Sequence, residues 1–432
     1  MLSLILLLAG AAALSILLLG ILIRTPLARH FADLPGHRKV HNTVIPRLGG
    51  TGIVLTFLVL LTIAQVFELW DPSAKFLLSI VFASLFLLIA GTLDDVFTLG
   101  YKAKFLLQFL LAGVIVSVFG LSFEKVSLFG QEWPLYGMGM VVSIFWLVGL
   151  MNAVNIIDGI DGLAASVSLA GFVGVGALAF AAGAPNPVGV CVALSGATIG
   201  FLYYNFQRRR KVLLGDTGSQ FLGVMLGILT LRIHGLPNVG NSILIPLLLA
   251  GYPILDLGVA MIRRFLQVRN RALGQRVTRM FHADNEHLHH RLVYAGLTHV
   301  QATLLLLVLA SGFTATAVVL PHVSWAWELT IVSYLTLAVL FLLNRLGVLQ
   351  RRAVQRALRT WALGSPSVDS GRLALRYNRY YELFNVSELG APSVGAGSPS
   401  ARVAPLAETT VASFETPGAV GGAAPQVLNG KF

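Results

Sequence analysis

Long apolar runs broken by short polar connections set the pattern of this chain. Runs of about 18 to 25 apolar residues recur from Leu2 onward, each long enough to cross a hydrocarbon core of about 30 Å as a helix. Eleven spans are predicted, beginning near Leu2, Gly50, Phe76, Phe105, Met138, Ala165, Val188, Gly218, Ser242, Val300 and Trp325. The expected fold is an all-α polytopic integral membrane protein with about 11 transmembrane helices. Past Arg359 the pattern fades into Ala, Gly, Ser and Pro, as in APSVGAGSPSARVAPLAETTVASFETPGAVGGAAP. Such a segment cannot bury enough surface to offset its ordering entropy. Residues 1–347 are therefore expected to form the membrane domain, and 348–432 a basic juxtamembrane segment with a largely disordered cytoplasmic tail.

Composition sharpens this picture. The hydrophobic set makes up 56% of the 432 residues and charged residues only 12%, against roughly 25% in a soluble domain. The first segment, MLSLILLLAGAAALSILLLGILI, lacks a positive n-region, and its apolar run exceeds the roughly 7–15 residues of a signal-peptide core. Arg24 and Arg29 follow it, so an uncleaved first span with its N-terminus outside is expected. The single cysteine, Cys191, lies in an apolar run, which leaves no disulfide framework and no cysteine metal site.

Charge then orients the spans. The connections 24–47, 94–104, 152–164, 206–217 and 262–299 hold 18 of the 31 Lys and Arg residues, whereas the opposite connections hold only Lys75, Lys125 and Arg232. By the positive-inside rule the first set and the C-terminus are cytoplasmic. The net charge of +12 is thus mostly a topology signal with attraction to anionic headgroups, and nucleic acid is not an expected partner.

Acidic residues gather on the same side. Asp33, Asp94, Asp95, Asp158, Asp161, Asp216, Asp284 and Glu286 all fall in the cytoplasmic connections, which suggests one site at that interface. The stretch LLGDTGSQFLG contains the Asp-Thr-Gly of an aspartic protease, but a second copy is missing and the residues after Ser219 read as a membrane helix, not a strand. Here Ser219 can cap a helix while Asp216 points into a shared site. GTLDDVFTLGYKAKFLLQF places Asp94 and Asp95 at the end of one span and Lys104 and Gln108 one turn apart at the start of the next. Carboxylates facing a lysine can hold a cation beside a phosphate, or simply cap the interface while Lys104 snorkels. In MNAVNIIDGIDGLA, the residues Asn152, Asn155, Asp158 and Asp161 recur every third position and suit a hard cation or hydrogen bonds to a nucleoside.

FHADNEHLHHRL supplies His282, Asp284, His287, His289, His290 and Arg291, donors suited to phosphate oxygens, with zinc or a plain interfacial cluster as alternatives. The first connection, ADLPGHRKVHNTVIPRLGGTG, offers Arg38, Lys39, His41 and Arg47 ahead of glycines, an arrangement that admits a pyrophosphate. Asp256 falls inside the ninth span, with Arg263 and Arg264 on the same stripe, and reads as a structural ion pair before a catalytic group.

Five pieces, DLPGHRKVHNTVIPRLGG, DDVFTLGYKAKFLLQ, NAVNIIDGIDGLA, LLGDTGSQFLG and HADNEHLHHRL, together resemble the bacterial polyprenyl-phosphate N-acetylhexosamine-1-phosphate transferases of glycosyltransferase family 4. The Arg-Lys-x-His, Pro-Arg-x-Gly-Gly and His-x-His-His forms are similar to the N-acetylglucosamine branch. Asn285 and Glu286 depart from the pattern, and the tail lies outside it.

The resemblance implies an enzyme that uses Mg²⁺, or Mn²⁺ in its place, to transfer a sugar 1-phosphate from a UDP-sugar to undecaprenyl phosphate. UMP would be released at the cytoplasmic side of the bacterial cytoplasmic membrane, initiating a cell-envelope glycan. It implies Asp216 and Asn155 at the metal, and catalytic roles for Asp94, Asp95 and Asp158. Arg47, Lys104, Asp161, His287, His289, His290 and Arg291 would meet the substrates. A homodimer follows from the resemblance alone. The rival from another class is a polytopic lipid or solute transporter, which would place its polar groups near the bilayer midplane. A CDP-alcohol phosphotransferase would need Asp-Gly-x-x-Ala-Arg, whereas Asp158-Gly159 continues Ile160-Asp161-Gly162-Leu163.

Overall fold

The computed structural model describes residues 2–26, 28, 31–33, 45–67, 73–97, 99–207, 210–267, 272–280 and 287–345. Arg38, Lys39, His41, His282, Asp284, Glu286 and the tail lie outside the described residues.

The chain is helical, as a membrane span must be if every backbone N–H and C=O is to find a partner without water. In chain order the helices are α1 (Leu2–Leu22), α2 (Gly49–Val66), α3 (Ala74–Phe97), α4 (Tyr101–Ser117), α5 (Met138–Ile157), α6 (Leu163–Ala181) and α7 (Pro185–Asn205). There follow α8 (Gly215–Ile233), α9 (Leu244–Leu249), α10 (Gly251–Gln267), α11 (Leu273–Met280), α12 (Leu288–Tyr294), α13 (His299–Val319) and α14 (Trp325–Arg345). Seven of the described helices are long and apolar enough to cross a membrane: α1, α2, α3, α5, α6, α7 and α13 with the short 3₁₀ turn that follows it. The protein is thus a multi-pass helical membrane protein, with seven spans passing on length and apolarity where eleven were expected.

Each predicted span does contain a helix, and two of the four that fall short have identifiable causes. The ninth, expected from Ser242, is two helices, because Pro253 has no N–H to offer Leu249 and α9 ends at Leu249. α8 is buried over nearly its whole length, so protein, not lipid, is its solvent and it need not be uniformly apolar.

α8 is the axis of the bundle, packed by α2, α3, α5 and α6. Close approach is built from small residues: a Cβ on Gly50 would collide with the backbone of Gly218, and one on Gly91 would sit 2.5 Å from Thr217 Cα. α1 lies along α7 by the same means. Gly200 faces Ala12 and Ser15, and Ser15 Oγ donates to Ala197 O at 2.8 Å.

Two small ladders complete the described chain. β1 (Ala32–Asp33) pairs antiparallel with β2 (Ile45–Pro46) ahead of α2. β3 (Lys125–Leu128) pairs with β4 (Gln131–Pro134) as a hairpin between α4 and α5, and Ser127 also bridges Ser242. The hairpin escaped the hydropathy reading because its four-residue strands are too short for a periodic signal.

Candidate active site

Four helix ends meet at one end of the bundle: the C-termini of α3 and α5 and the N-termini of α4 and α8. Lys104, one turn into α4, places Nζ 2.6 Å from Asp94 Oδ2 and 3.1 Å from Asp216 Oδ2. Asn155, near the end of α5, donates Nδ2 to Asp216 Oδ1 at 2.6 Å and to Ser219 Oγ at 2.8 Å. Asp94, Lys104, Asn155 and Asp216 are therefore one hydrogen-bonded cluster, although the sequence separates the first and last by more than a hundred residues.

Asp94 and Asp95 are neighbours with different tasks, since consecutive helical residues point about 100° apart. Asp94 Oδ1 also accepts from Leu99 N at 2.9 Å. Asp95 turns to the start of α8, where Oδ1 accepts from Asp216 N at 2.8 Å and Oδ2 from Thr217 N at 3.0 Å and Thr217 Oγ1 at 2.6 Å. These N–H groups are among the four that a helix start leaves without an internal partner. Gly215, at φ 75°, makes the turn that aims them at Asp95. Asp95 thus fixes the backbone of Asp216. Behind the cluster, Asn152 donates to Gln108 Oε1 at 2.7 Å and Gln108 donates to Gln220 Oε1 at 3.0 Å, a polar layer that closes the site toward the membrane interior.

The Asp158-Gly159-Ile160-Asp161-Gly162 turn joins α5 to α6 beside this cluster. Asp158 makes no side-chain hydrogen bond among the described residues. Burial pushes its carboxyl up to about 8, helped by the negative charges of Asp216, Asp95 and Asp161 and opposed by Arg47. Arg47, between β2 and α2, therefore acts on the site through its charge on Asp158, and its backbone is tied by Arg47 N to Phe31 O at 2.9 Å. Asp161 is differently engaged: Lys211 Nζ lies 2.6 Å and His299 Nδ1 3.6 Å from its Oδ2, and its carbonyl accepts from Thr303 Oγ1 at 2.8 Å. Burial acts upward on Asp161, but His299 and Lys211 outweigh it and hold the carboxyl below its ordinary value.

The histidine box reaches the same turn. His289 is fully buried on α12, and its Nε2 fills the space that a Cβ on Gly159 would need. Neither of its ring nitrogens has a hydrogen-bond partner among the described residues. Burial pushes its pKa down to about 3, with the charge of His290 adding to the effect and Asp256 opposing it. His287 and His289 stack with ring centroids 5.8 Å apart, and His290 lies 4.2 Å from His289. Arg291 follows on the same helix, its N–H bonded to His287 O at 3.1 Å.

Sequence reasoning missed several partners. Gln220 carried a signal, a polar residue one turn after Asp216 inside an apolar run. Thr217, Lys211, His299 and Thr303 carried none, because their relevance comes from distant segments folding back. Periodicity along α10 pairs Asp256 with the arginines on its own stripe. Its two oxygens instead accept from His287 Nδ1 and Leu288 N, each at 2.8 Å, while Arg264 Nη1 donates to Met280 O at 3.0 Å. Periodicity sees only one's own helix, and α12 arrives from elsewhere.

Comparison with known proteins places the chain in a family. Residues 77–234, which carry Asp94, Asp95, Lys104, Asn155, Asp158, Asp161 and Asp216, match the family described as Glycosyl transferase family 4. The Bacillus subtilis (strain 168) protein named "Probable undecaprenyl-phosphate N-acetylglucosaminyl 1-phosphate transferase" is 33% identical over 310 residues, covering 70% of this chain and 82% of the relative. A Mycobacterium leprae (strain TN) decaprenyl-phosphate N-acetylglucosaminephosphotransferase is 30% identical over 308 residues, covering 63% of this chain and 72% of the relative. The undecaprenyl-phosphate alpha-N-acetylglucosaminyl 1-phosphate transferase of Escherichia coli (strain K12) is 28% identical over 353 residues, covering 78% and 90%. With a relative 33% identical over 82% of its length and a family match that spans the clustered residues, the chain belongs to glycosyl transferase family 4, alongside the polyprenyl-phosphate N-acetylglucosaminyl 1-phosphate transferases.

Proposed function

We propose that this protein transfers N-acetylhexosamine 1-phosphate, in the first instance N-acetylglucosamine 1-phosphate, from a UDP-sugar to undecaprenyl phosphate. UMP is released, and the product starts a cell-envelope glycan. The observation that carries the reading is the Asp94–Lys104–Asp216–Asn155 cluster at the meeting of four helix ends. The relatives' names supply the acceptor and the sugar. The excess of Lys and Arg on the connections that carry the cluster supports a cytoplasmic site in a bacterial cytoplasmic membrane, with the N-terminus outside. Polar groups gathered at one end of the bundle, not midway along it, speak against a transporter.

The donor set fits a hard divalent cation. Asp94 Oδ2 and Asp216 Oδ2 converge on one ammonium nitrogen, so positive charge is already favoured between them. A cation held by these two carboxylates would take its further coordination from phosphate and water, as Mg²⁺ prefers. Bound there, Mg²⁺ would neutralise charge on the donor diphosphate.

The chain's own residues do the remainder. An oxygen of the lipid phosphate attacks the phosphorus that bears the sugar; the new P–O bond forms as the bond to the UMP oxygen breaks. A phosphate with a second pKa near 6 is largely dianionic at neutral pH, so the need is relief from anion–anion repulsion more than a strong base. Asp94 and Asp216 would hold the cation beside the lipid phosphate; Asn155, expected at the metal, turns its Nδ2 to Asp216, and Asp95, expected to be catalytic, is taken up by the start of α8, so both would be positioning residues for Asp216. Lys104, released from the carboxylates, would meet phosphate oxygens. Asp158 would face the nucleotide in its neutral form, and Asp161 would brace the turn that carries it. Arg47, His287, His290 and Arg291 would meet the diphosphate, whereas His289, expected beside them, is fully buried against Gly159 and would support the turn that carries Asp158.

The test is UMP release by purified full-length protein in detergent with UDP-N-acetylglucosamine, undecaprenyl phosphate and Mg²⁺. Release that EDTA abolishes and Asp216→Asn lowers by at least about 100-fold is expected. No UMP from any member of a UDP-sugar panel would overturn the reading.

A further inference from the structure

Asp256 sits in α10, outside the residues that match the family model, and is almost completely buried. A buried carboxylate is costly unless its oxygens are satisfied, and both of these are engaged by one short segment. Oδ1 accepts from Leu288 N, the first N–H of α12, and Oδ2 lies 2.8 Å from His287 Nδ1. The ring of Tyr252, one turn earlier on α10, is fully buried nearby, yet its hydroxyl has no hydrogen-bond partner among the described residues. Asp256 is therefore committed to α12.

The chemistry of that contact fixes a proton. An ionised carboxylate only accepts, so the nitrogen facing it must donate, and of the two neutral forms of the His287 ring this contact admits the one with its hydrogen on Nδ1 and its lone pair on Nε2. The same carboxylate pins the backbone at Leu288, and so the direction in which the ring leaves the chain. His287 in turn stacks on His289 with 6° between the ring planes, and His289 packs against Gly159 beside Asp158. One buried acid thus sets the tautomer of the first histidine and the placement of the second.

We propose that Asp256 is a positioning residue for the histidine box. It selects the Nδ1–H form of His287 and anchors α12, so that the box meets the donor diphosphate in a single geometry. The part concerning the diphosphate rests on the function proposed above; the tautomer and the anchor do not.

Asp256→Asn is the informative variant, because an amide has one acceptor and one donor face and can serve only one of the two donors that Asp256 satisfies. Full-length protein labelled with ¹⁵N-histidine is compared as wild type and variant in detergent, at a pH where the ring is neutral. The His287 signal is assigned by its loss in His287→Gln. Wild type is expected to show protonated Nδ1 and unprotonated Nε2, and the variant a shifted tautomer balance. In the UMP assay, kcat/KM for UDP-N-acetylglucosamine should fall about 10- to 100-fold, the range for carboxylates that orient a histidine, with KM for undecaprenyl phosphate within about twofold. A wild-type His287 protonated on Nε2 overturns the proposal without any variant having to fold. So does Asp256→Asn with an unchanged His287 signal, or with equal losses for both substrates and a lowered melting temperature. If wild type releases no UMP with any donor, the transferase reading fails, while the ¹⁵N signals still decide whether Asp256 sets the ring.

Discussion

Four aspartates of the site sit in four settings. Asp94 faces the Lys104 ammonium, Asp95 the N–H groups of a helix start, Asp161 the Lys211 ammonium, and Asp158 no hydrogen-bond donor among the described residues. The difference decides which of them responds to pH. Asp158 is lifted from its ordinary 3.8 to about 8, so the fold favours its neutral form. Its stabilising effect is complete below about pH 4 and is lost as pH rises through 8. In metal-free, substrate-free protein, Asp158→Asn should therefore melt at the wild-type temperature near pH 4 and above it by a margin that grows toward pH 8. A margin that stays flat across that range would show that the carboxyl is not held neutral. The sequence made all four aspartates visible as candidates. It could not distinguish Asp94 from Asp95, because which of two adjacent carboxylates meets a lysine and which meets a helix start depends on where α4 and α8 arrive.

At the scale of elements, small residues set how near two helices come. Gly200 of α7 would place a Cβ 2.6 Å from Ala12 O of α1, whereas Gly113 of α4 has nothing within 4 Å of its Cβ position. In a membrane there is no hydrophobic gain in pressing two apolar helices together, so this packing and the Ser15–Ala197 hydrogen bond are what hold α1 to α7. Gly200→Leu should cost about 1–3 kcal/mol or more, as overpacking does, and lower the melting temperature, while Gly113→Leu should leave it within error. Equal melting temperatures for the two variants would contradict the packing. Helix positions were legible because a long apolar run has one solution in lipid. The Leu249–Pro253 break was hidden because hydropathy ignores a missing N–H.

For the molecule as a whole, charge and geometry make one topological statement. The Asp94–Lys104–Asp216 cluster and the β3–β4 hairpin occupy opposite ends of α4, so they should face opposite sides of the membrane. Cys191, the single cysteine, is buried, which leaves a quiet background for thiol labelling. A membrane-impermeant thiol reagent on intact bacteria should label Gln131→Cys in the hairpin, and Lys102→Cys beside the cluster only after permeabilisation. Both positions are exposed, and the reverse pattern would invert the orientation given by the Lys and Arg bias.

The amino-acid sequence by itself determined that the chain crosses a membrane many times, where its long apolar helices lie, and which polar residues are too costly to be incidental there. Those are local matters, set by the run length of apolar side chains and the price of ionisable groups beside lipid. Tertiary structure alone decided the pairings: Asp95 with the start of α8, Asp161 with Lys211, Asp256 with His287. Each joins segments far apart in the chain. A carboxylate's partner is whichever donor the packed helices bring within about 3 Å, and no periodicity along one helix encodes that distance.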